Sequence, residues 1–112
     1  MTRYLISFDD GAMTFPEEDV PDVAEAAHQV VYAAKDAGVW MFGGGLLSQR
    51  ARIVAPDGTV TNGPYPETKA VIGGFSIIDV PAREEALEWA AKIAVACRCA
   101  QEVREIMDDP DS

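Results

Sequence analysis

Apolar residues recur at strand spacing near the start of the chain and at helical spacing soon after. In residues 3–8, every second side chain is apolar and faces one side, which is typical of a β-strand with a buried face. The helical spacing then predicts a helix that holds Pro21 in its first turn and ends before Gly38. The apolar stripe of this helix comprises Val23, Ala27, Val30, Ala34 and Ala37.

The second half of the chain adds further strands and one more helix. Residues 39–42 are strand-like, and the glycines at 43–45 predict an interruption by a bulge or by close approach of a backbone or ligand. Pro81 and the acidic residues after it predict the start of the second helix. The predicted strands are residues 3–8, 39–42, 50–55, 72–80 and 101–107.

The predicted order is β-α-β-β-β-α-β, which indicates an α+β fold. With the middle strands taken as an extension, it is the split β-α-β, or ferredoxin-like, arrangement. Both helices would then lie on one face of an antiparallel sheet. We expect residues 1–107 to form a single domain and the acidic residues 108–112 to be a disordered tail.

Two of the predicted strands are apolar on both faces. This holds for residues 39–42 and for much of residues 72–80, although two helices cover only one face of a sheet. An apolar sheet face left uncovered implies a partner surface. We therefore expect a homodimer in which two sheets pack face to face, giving a dimeric α+β barrel.

The charge pattern excludes some classes of function. The chain has 112 residues and a net charge of −10, which argues against a general nucleic-acid binder. The start has no hydrophobic signal region and no apolar run is long enough to cross a membrane, so a cytoplasmic location is expected. Acids are concentrated in residues 9–25, whereas positive charge is relatively rich at Arg50, Arg52 and Lys69. The middle of the chain is therefore the part best suited to meet an anion.

No cluster of side chains has the spacing of a metal site. Cys97 and Cys99 have no second pair of ligands nearby in the sequence, so we expect reduced, structural cysteines and no bound metal. The glycines at 43–45 lack the lysine and the spacing of a nucleotide-binding loop. No cofactor is therefore expected.

Residues 62–69 form the most distinctive segment. Two prolines and a glycine exclude regular structure there, and Glu67 and Lys69 follow just before a buried strand. These two charges could bind or polarise a small carboxylate or carbonyl compound, or could form an ion pair that locks the loop. The residues expected to bind the ligand beside them are Arg50, Arg52, Asn62 and Tyr65.

Most of the chain resembles the YCII-related family, in the branch named for a DGPF motif. The segments that carry the resemblance are residues 60–69, 72–80 and 85–90, with Asn62 where that motif usually begins with Asp. The resemblance implies a ferredoxin-like dimeric α+β barrel. It implies little about activity, because most members are uncharacterised. Some members look to be associated with sigma factors, and the wider group has been proposed to act through a His–Asp pair.

His28 is the candidate general base of the sequence. It is the one histidine of the chain and lies off the apolar stripe of the first helix. A surface or interface histidine is the alternative. Two hypotheses of function follow. In the first, a cleft at the motif loop binds a small anionic or carbonyl-bearing molecule and could also transform it. In the second, the protein is a non-catalytic module that contacts a protein partner such as a sigma factor. In the first, His28, Glu67 and Lys69 are the candidate catalytic residues.

Overall fold

A computed structural model describes residues 1–47, 51–64 and 71–111 of the chain. The strands in this part are β1 (Thr2–Asp9), β2 (Trp40–Gly45), β3 (Arg52–Val54), β4 (Val60–Asn62), β5 (Ile72–Val80) and β6 (Glu102–Glu105). The helices are α1 (Val20–Asp36) and α2 (Arg83–Cys97), and a short 3₁₀ turn, Glu17–Asp19, precedes α1. Among the described residues, no helix combines the length and apolar character needed to span a lipid bilayer.

Four strands form one antiparallel sheet in the order β2-β5-β1-β6, and β3 pairs with β4 in a separate two-stranded sheet. α1 connects β1 to β2 while β5 lies between them, and α2 connects β5 to β6 while β1 lies between them. The predicted α+β fold, with two helices and an antiparallel sheet, is therefore confirmed.

The core lies between the two helices and one face of the sheet. Ile6, Ile78 and Val80 are the largest fully buried side chains, and they come from the central pair of strands. Ala34 of α1 and Ala86 of α2 pack against this group, so both helices cover the same face. Burying each large aliphatic side chain stabilises the fold by about 1.5–3 kcal/mol.

The helix ends follow the signals in the sequence. Pro21 lies in the first turn of α1, and Gly38 adopts a left-handed φ of 74° just after the C-terminal end. Glycine takes this conformation without the steric cost that a Cβ imposes. The backbone N–H of Gly38 donates to the carbonyl of Lys35, which satisfies one of the last helical carbonyls.

The predicted interruption of the second strand at residues 43–45 does not occur, but the close approach of a backbone, which was the alternative, is found at Gly43, where an added Cβ would lie 2.6 Å from the carbonyl oxygen of Phe75. Gly43 pairs with Ser76, Gly44 with Phe75 and Gly45 with Gly74, so the glycines continue the strand. The irregularity lies earlier, between Trp40 and Phe42. Pairing with a long neighbouring strand supplies the backbone hydrogen bonds that outweigh the low intrinsic strand preference of glycine.

The middle of the chain also differs from the prediction. Residues 60–62 form a strand, β4, which lies outside the predicted strands, and they pair with β3 across a turn. The side chain of Asp57 accepts a hydrogen bond from the backbone N–H of Thr59 at 2.9 Å, and Gly58 has a φ of 90°. These features stabilise the turn that joins the two strands.

The second face of the sheet carries apolar side chains that the helices do not cover. Phe42 is 63% exposed, and its ring centroid lies 6.0 Å from that of Phe75 on the neighbouring strand. Ile77 lies two residues further along the same strand and is partly buried. The described part of the chain therefore leaves an apolar strip on this face, as the two-faced strand pattern predicts.

Arg98 joins the C-terminal end of α2 to the segment before α1. It has a left-handed φ of 58° and caps α2 through its backbone N–H, which donates to the carbonyl of Ala94. Its guanidinium donates to the Asp19 carboxylate at 2.8 Å and lies 5.8 Å from the centroid of the Phe15 ring. One side chain thus holds the loop after β1 against the end of the second helix.

A substitution at Gly43 tests how tightly β2 packs on β5. An added Cβ would lie 2.6 Å from the carbonyl oxygen of Phe75 and 2.9 Å from the Trp40 ring, whereas at Gly44 it would meet nothing within 4 Å. We expect Gly43→Ala to lower the free energy of unfolding in urea by about 1–3 kcal/mol. Gly44→Ala is the control and should be neutral or stabilising by up to about 1 kcal/mol. Equal stabilities for the two variants would contradict this packing.

Candidate functional site

A cavity of about 450 Å³ lies between α1, the C-terminal end of α2 and the sheet. This volume lies in the range of pockets that bind small organic molecules. The cavity continues the face that carries the core, at the end of the sheet where β1 ends and β5 begins. The cavity lies here because β5 carries the small residues Gly74 and Ser76 at this end, whereas Ile78 and Val80 fill the core further along the strand.

The floor of the cavity is built from aromatic rings that lie over glycines. The Trp40 ring occupies the space that a Cβ on Gly43 would need, since the two would be 2.9 Å apart. The Phe8 ring does the same over Gly74, where the separation would be 2.5 Å. At Gly45, by contrast, an added Cβ would meet nothing within 4 Å. The glycines therefore let two rings lie close to the sheet and leave open space beside them.

The walls of the cavity are mostly apolar. α1 contributes Ala27, Val30 and Val31, and the loop after β1 contributes Met13. These side chains make the lining largely apolar. A ligand would therefore bind largely through burial of apolar surface.

A few polar groups lie on the same walls. His28 and Lys35 project from α1 two turns apart, and both side chains are exposed. Ser76 lies on β5, and Gln101 precedes β6. The arrangement provides one positive charge, one imidazole, one hydroxyl and one amide around an apolar floor, which suits an organic molecule with an anionic or carbonyl group.

His28 is the predicted site residue that the structure places at this cavity. Its ring centroid lies 6.3 Å from that of Tyr32. No carboxylate in residues 1–47, 51–64 or 71–111 forms an ion pair with it. Within that part of the chain, His28 has no orienting carboxylate of the kind that a His–Asp pair would require.

The other predicted site residues do not lie at the cavity or cannot be placed. Arg52 and Asn62 are opposite each other in the β3–β4 pair, and both are exposed. The Arg52 guanidinium donates to the neighbouring carbonyl of Ala51 at 3.0 Å. The remaining predicted residues, Arg50, Tyr65, Glu67 and Lys69, lie outside the described residues.

Several polar and aromatic residues of the cavity were not predicted as site residues, among them Lys35, Trp40, Ser76 and Gln101. Trp40 lines the cavity from β2. Lys35 could have been found because it follows His28 by seven residues, which places both on one side of a helix. Ser76 and Gln101 carry no such local signal, because only the pairing of distant strands brings them to the cavity.

The cysteines lie beside the cavity. Cys97 is buried and lines it, whereas Cys99 is partly buried and does not. Burial raises the pKa of the Cys97 thiol, with a smaller contribution from Cys99. Burial also raises the pKa of the Cys99 thiol, and a hydrogen bond from Gln101 partly opposes this. Both groups therefore stay protonated at neutral pH and are weak nucleophiles there.

A second cavity, of about 310 Å³, lies between the start of β1, the end of β5 and residues 105–110. Its walls include the carboxylates of Asp79, Glu105 and Asp108. The Oδ1 atom of Asp79 is buried and has no hydrogen-bond partner among the described residues. In that part of the chain, no group of His, Cys, Asp and Glu side chains is arranged to hold a metal ion. An acidic lining suits an anionic ligand poorly, so the first cavity is the candidate site.

The fold and the cavity define a small α+β protein with a ligand-sized space between its helices and sheet. A sequence model of the YCII-related domain matches residues 17–109. The chain therefore belongs to the YCII-related family, and the resemblance seen in its motif is confirmed at that level. A comparison with curated proteins found no significant match.

One solved structure shares the fold along nearly the whole chain. It is 5-chloro-2-hydroxyhydroquinone dehydrochlorinase (TftG) from Burkholderia phenoliruptrix AC1100, in complex with 2,5-dihydroxybenzoquinone. The two sequences are 15% identical, and the alignment covers 99% of this chain and 98% of the other with a TM-score of 0.55. At this level of identity, the likeness is one of fold.

The raised thiol pKa values give a pH-dependent prediction. An unperturbed cysteine has a pKa of about 8.5. We expect native Cys97 to react with iodoacetamide at pH 8 more slowly than a cysteine peptide, and the rate to rise as the pH exceeds this value. Protein unfolded in urea should react at the peptide rate.

Mass spectrometry can measure the two thiols separately, because trypsin cleaves after Arg98 and places Cys97 and Cys99 in different peptides. Cys97 should be the slower of the two, since it is the more buried. Fast alkylation of Cys97 in the native protein at pH 7 would show that its thiol is neither buried nor protonated as described.

Proposed function

We propose that this protein binds a small molecule bearing a carboxylate or a carbonyl group in the cavity between α1 and the sheet. The observation that carries the proposal is the combination of an aromatic floor with His28 and Lys35 on one wall. The apolar floor supplies affinity by removing ligand surface from water. The polar groups on α1 orient the ligand.

Lys35 supports an anionic ligand. The chain carries ten more acidic than basic charges, so a lysine on the wall of an apolar cavity is a local exception. A carboxylate or phenolate in the cavity would be partly desolvated, and its attraction to the ammonium would be stronger than in bulk water. A cationic ligand would be repelled by the Lys35 ammonium.

His28 supports acid–base chemistry on such a ligand. An imidazole can both accept and donate a proton, and a group at the cavity wall can reach a bound molecule. The structural neighbour is a dehydrochlorinase with a dihydroxyquinone bound. Together with the family membership, this likeness favours a carbonyl-bearing ligand, with His28 as the catalytic candidate in this cavity. The predicted roles of Glu67 and Lys69 remain proposals, as do those of Arg50, Arg52, Asn62 and Tyr65 in binding the ligand.

We also propose that two copies of this chain form a dimeric α+β barrel. The sheet order and the two crossing helices support a ferredoxin-like arrangement, and the uncovered strip around Phe42, Phe75 and Ile77 supports face-to-face packing. Residues 1–107 would form the domain of each copy in the cytoplasm, within the DGPF branch of the family.

Ligand binding is tested by calorimetry and thermal shift with benzoate and 2,5-dihydroxybenzoquinone as probes. A ligand at one hundred times its Kd adds about 2.7 kcal/mol to the free energy of unfolding, so a bound probe raises the Tm. We expect Lys35→Gln to weaken benzoate binding about 3- to 10-fold, because the variant loses one charge-assisted contact. His28→Gln should weaken binding of the quinone to a similar degree.

Matched controls separate these effects from changes in overall charge. Lys92→Gln removes the same charge from α2, where the ammonium lies 4.5 Å from the centroid of Trp89 and away from the cavity. Gln29→Ala alters the exposed residue next to His28. Neither control should change binding. Failure of both probes to bind would overturn the proposed function, and a protein partner would then become the better hypothesis.

The dimer is tested independently by light scattering. Phe42→Glu places a charge in the middle of the uncovered apolar strip, so we expect the variant to be monomeric at concentrations where the unchanged protein is a dimer. Circular dichroism should show the same helix content for both, since Phe42 is 63% exposed within one copy. A monomeric unchanged protein would refute the packing of two sheet faces.

A further inference from the structure

We infer that the cavity selects ligands with a flat ring, and that the absence of a side chain at Gly45 sets the size of ring it accepts. This inference rests on the proposed function and specifies its ligand class: a single aromatic or quinone-like ring with an anionic or carbonyl oxygen. The evidence is the way that the floor is built across β1, β2 and β5.

Two rings lie unusually close to the sheet. An ordinary side chain on Gly43 or Gly74 would keep Trp40 or Phe8 away, because its Cβ would come within 2.9 Å or 2.5 Å of the ring. Real Cβ atoms do not approach other atoms this closely. The two glycines therefore allow aromatic side chains from neighbouring positions to cover the backbone. The space above these rings remains part of the cavity.

Gly45, unlike Gly43 and Gly74, has no aromatic ring over it. It pairs with Gly74 in register, so the two glycines are neighbours across β2 and β5. Gly74 is covered by the Phe8 ring, whereas an added Cβ at Gly45 would meet nothing within 4 Å. Alternation along β2 places the side-chain position of Gly45 on the same face as that of Gly43, which is the cavity side. The floor thus has a shallow vacancy next to an aromatic ring.

A flat ring fits this vacancy better than a puckered one. Aromatic rings attract one another in offset and edge-to-face arrangements, and the effect strengthens binding by roughly 2- to 10-fold beyond burial of area. A saturated ring is thicker and has no such attraction to Phe8 or Trp40. Lys35 and His28 lie on the helix above, where they can contact an oxygen at the edge of the ring. Shape and charge together select the ligand class.

Benzoate and cyclohexanecarboxylate test the inference, because they share charge and ring size and differ in flatness. By calorimetry, we expect benzoate to bind about 3- to 10-fold more tightly. Equal binding of the two acids, or tighter binding of the saturated one, would overturn the inference and leave the proposed function standing. Binding of neither acid, together with no binding of 2,5-dihydroxybenzoquinone, would overturn both.

Variants at the floor provide a second measurement. Gly45→Ala and Gly45→Val should weaken benzoate binding progressively, with at least a 10-fold loss for valine as its side chain fills the vacancy. Lys92→Gln on α2, where the ammonium lies 4.5 Å from the centroid of Trp89 and away from the cavity, is the control and should leave benzoate binding unchanged. Unchanged binding in Gly45→Ala and Gly45→Val would refute the role of this position.

A substitution at Phe8 separates ring attraction from simple loss of space. Phe8→Leu keeps an apolar side chain over Gly74 but removes the ring. We expect the preference for benzoate over cyclohexanecarboxylate to fall about twofold or more in this variant, with Trp40 supplying what remains. Thermal melts establish that each variant folds before its binding is measured. An undiminished preference for benzoate in folded Phe8→Leu would show that the Phe8 ring does not contribute to the selection of flat ligands.

Discussion

The antiparallel pairing of β1 with β5 is the constraint on which the core and the cavity both depend. Its register places Tyr4 opposite Ile78 and Ile6 opposite Ser76, and it then brings Phe8 opposite Gly74. Because side chains alternate along a strand, these residues all face the helices. At one end of the pair two large side chains meet, whereas toward the other end the large side chains of β1 lie opposite small residues of β5. The same face therefore forms a packed core at one end and a cavity at the other.

Each helix also contributes some residues to the core and others to the cavity wall. On α2, Ala86 and Ala90 pack into the core, whereas Ile93 and Cys97 reach the cavity. On α1, Ala34 is part of the core and Val31, one turn earlier, borders the cavity. Since the helices are anchored by tightly packed residues, they hold the cavity walls apart without needing side chains in the space between them. The stability of the core thus maintains the shape of the site.

Local patterns predicted the elements better than the site. The bounds of β5 agree with the predicted residues 72–80, because an apolar run between turn residues is a signal that needs no distant partner. The glycines at 43–45 were predicted to break their strand because glycine has a low strand preference in isolation. Their pairing with Gly74, Phe75 and Ser76 overrides that preference, and it depends on contacts between distant parts of the chain.

The site was predictable only where a single helix carried the information. His28 lies off the apolar stripe of α1, and this offset is what brings it to the cavity wall rather than into the core. Ser76 and Gln101 reach the cavity through strand register, and no motif in the sequence marks them. Arg52 and Asn62 were grouped by their charge and polarity, and the structure pairs them with each other on β3 and β4, not with His28.

Arg98 adopts a left-handed conformation at the C-terminal end of α2, and its side chain reaches the segment before α1. A residue with a Cβ loses roughly 1–2 kcal/mol in this conformation, and the half-exposed ion pair with Asp19 returns only a modest part of that. The Arg98 guanidinium also lies over the Phe15 ring, and such a contact contributes about 0.5–1 kcal/mol at an exposed site. The loop that carries Met13 is therefore held to the end of α2 by a residue in an unfavourable backbone conformation. Because the ion pair between Arg98 and Asp19 is partly exposed, added salt weakens this attachment of the loop.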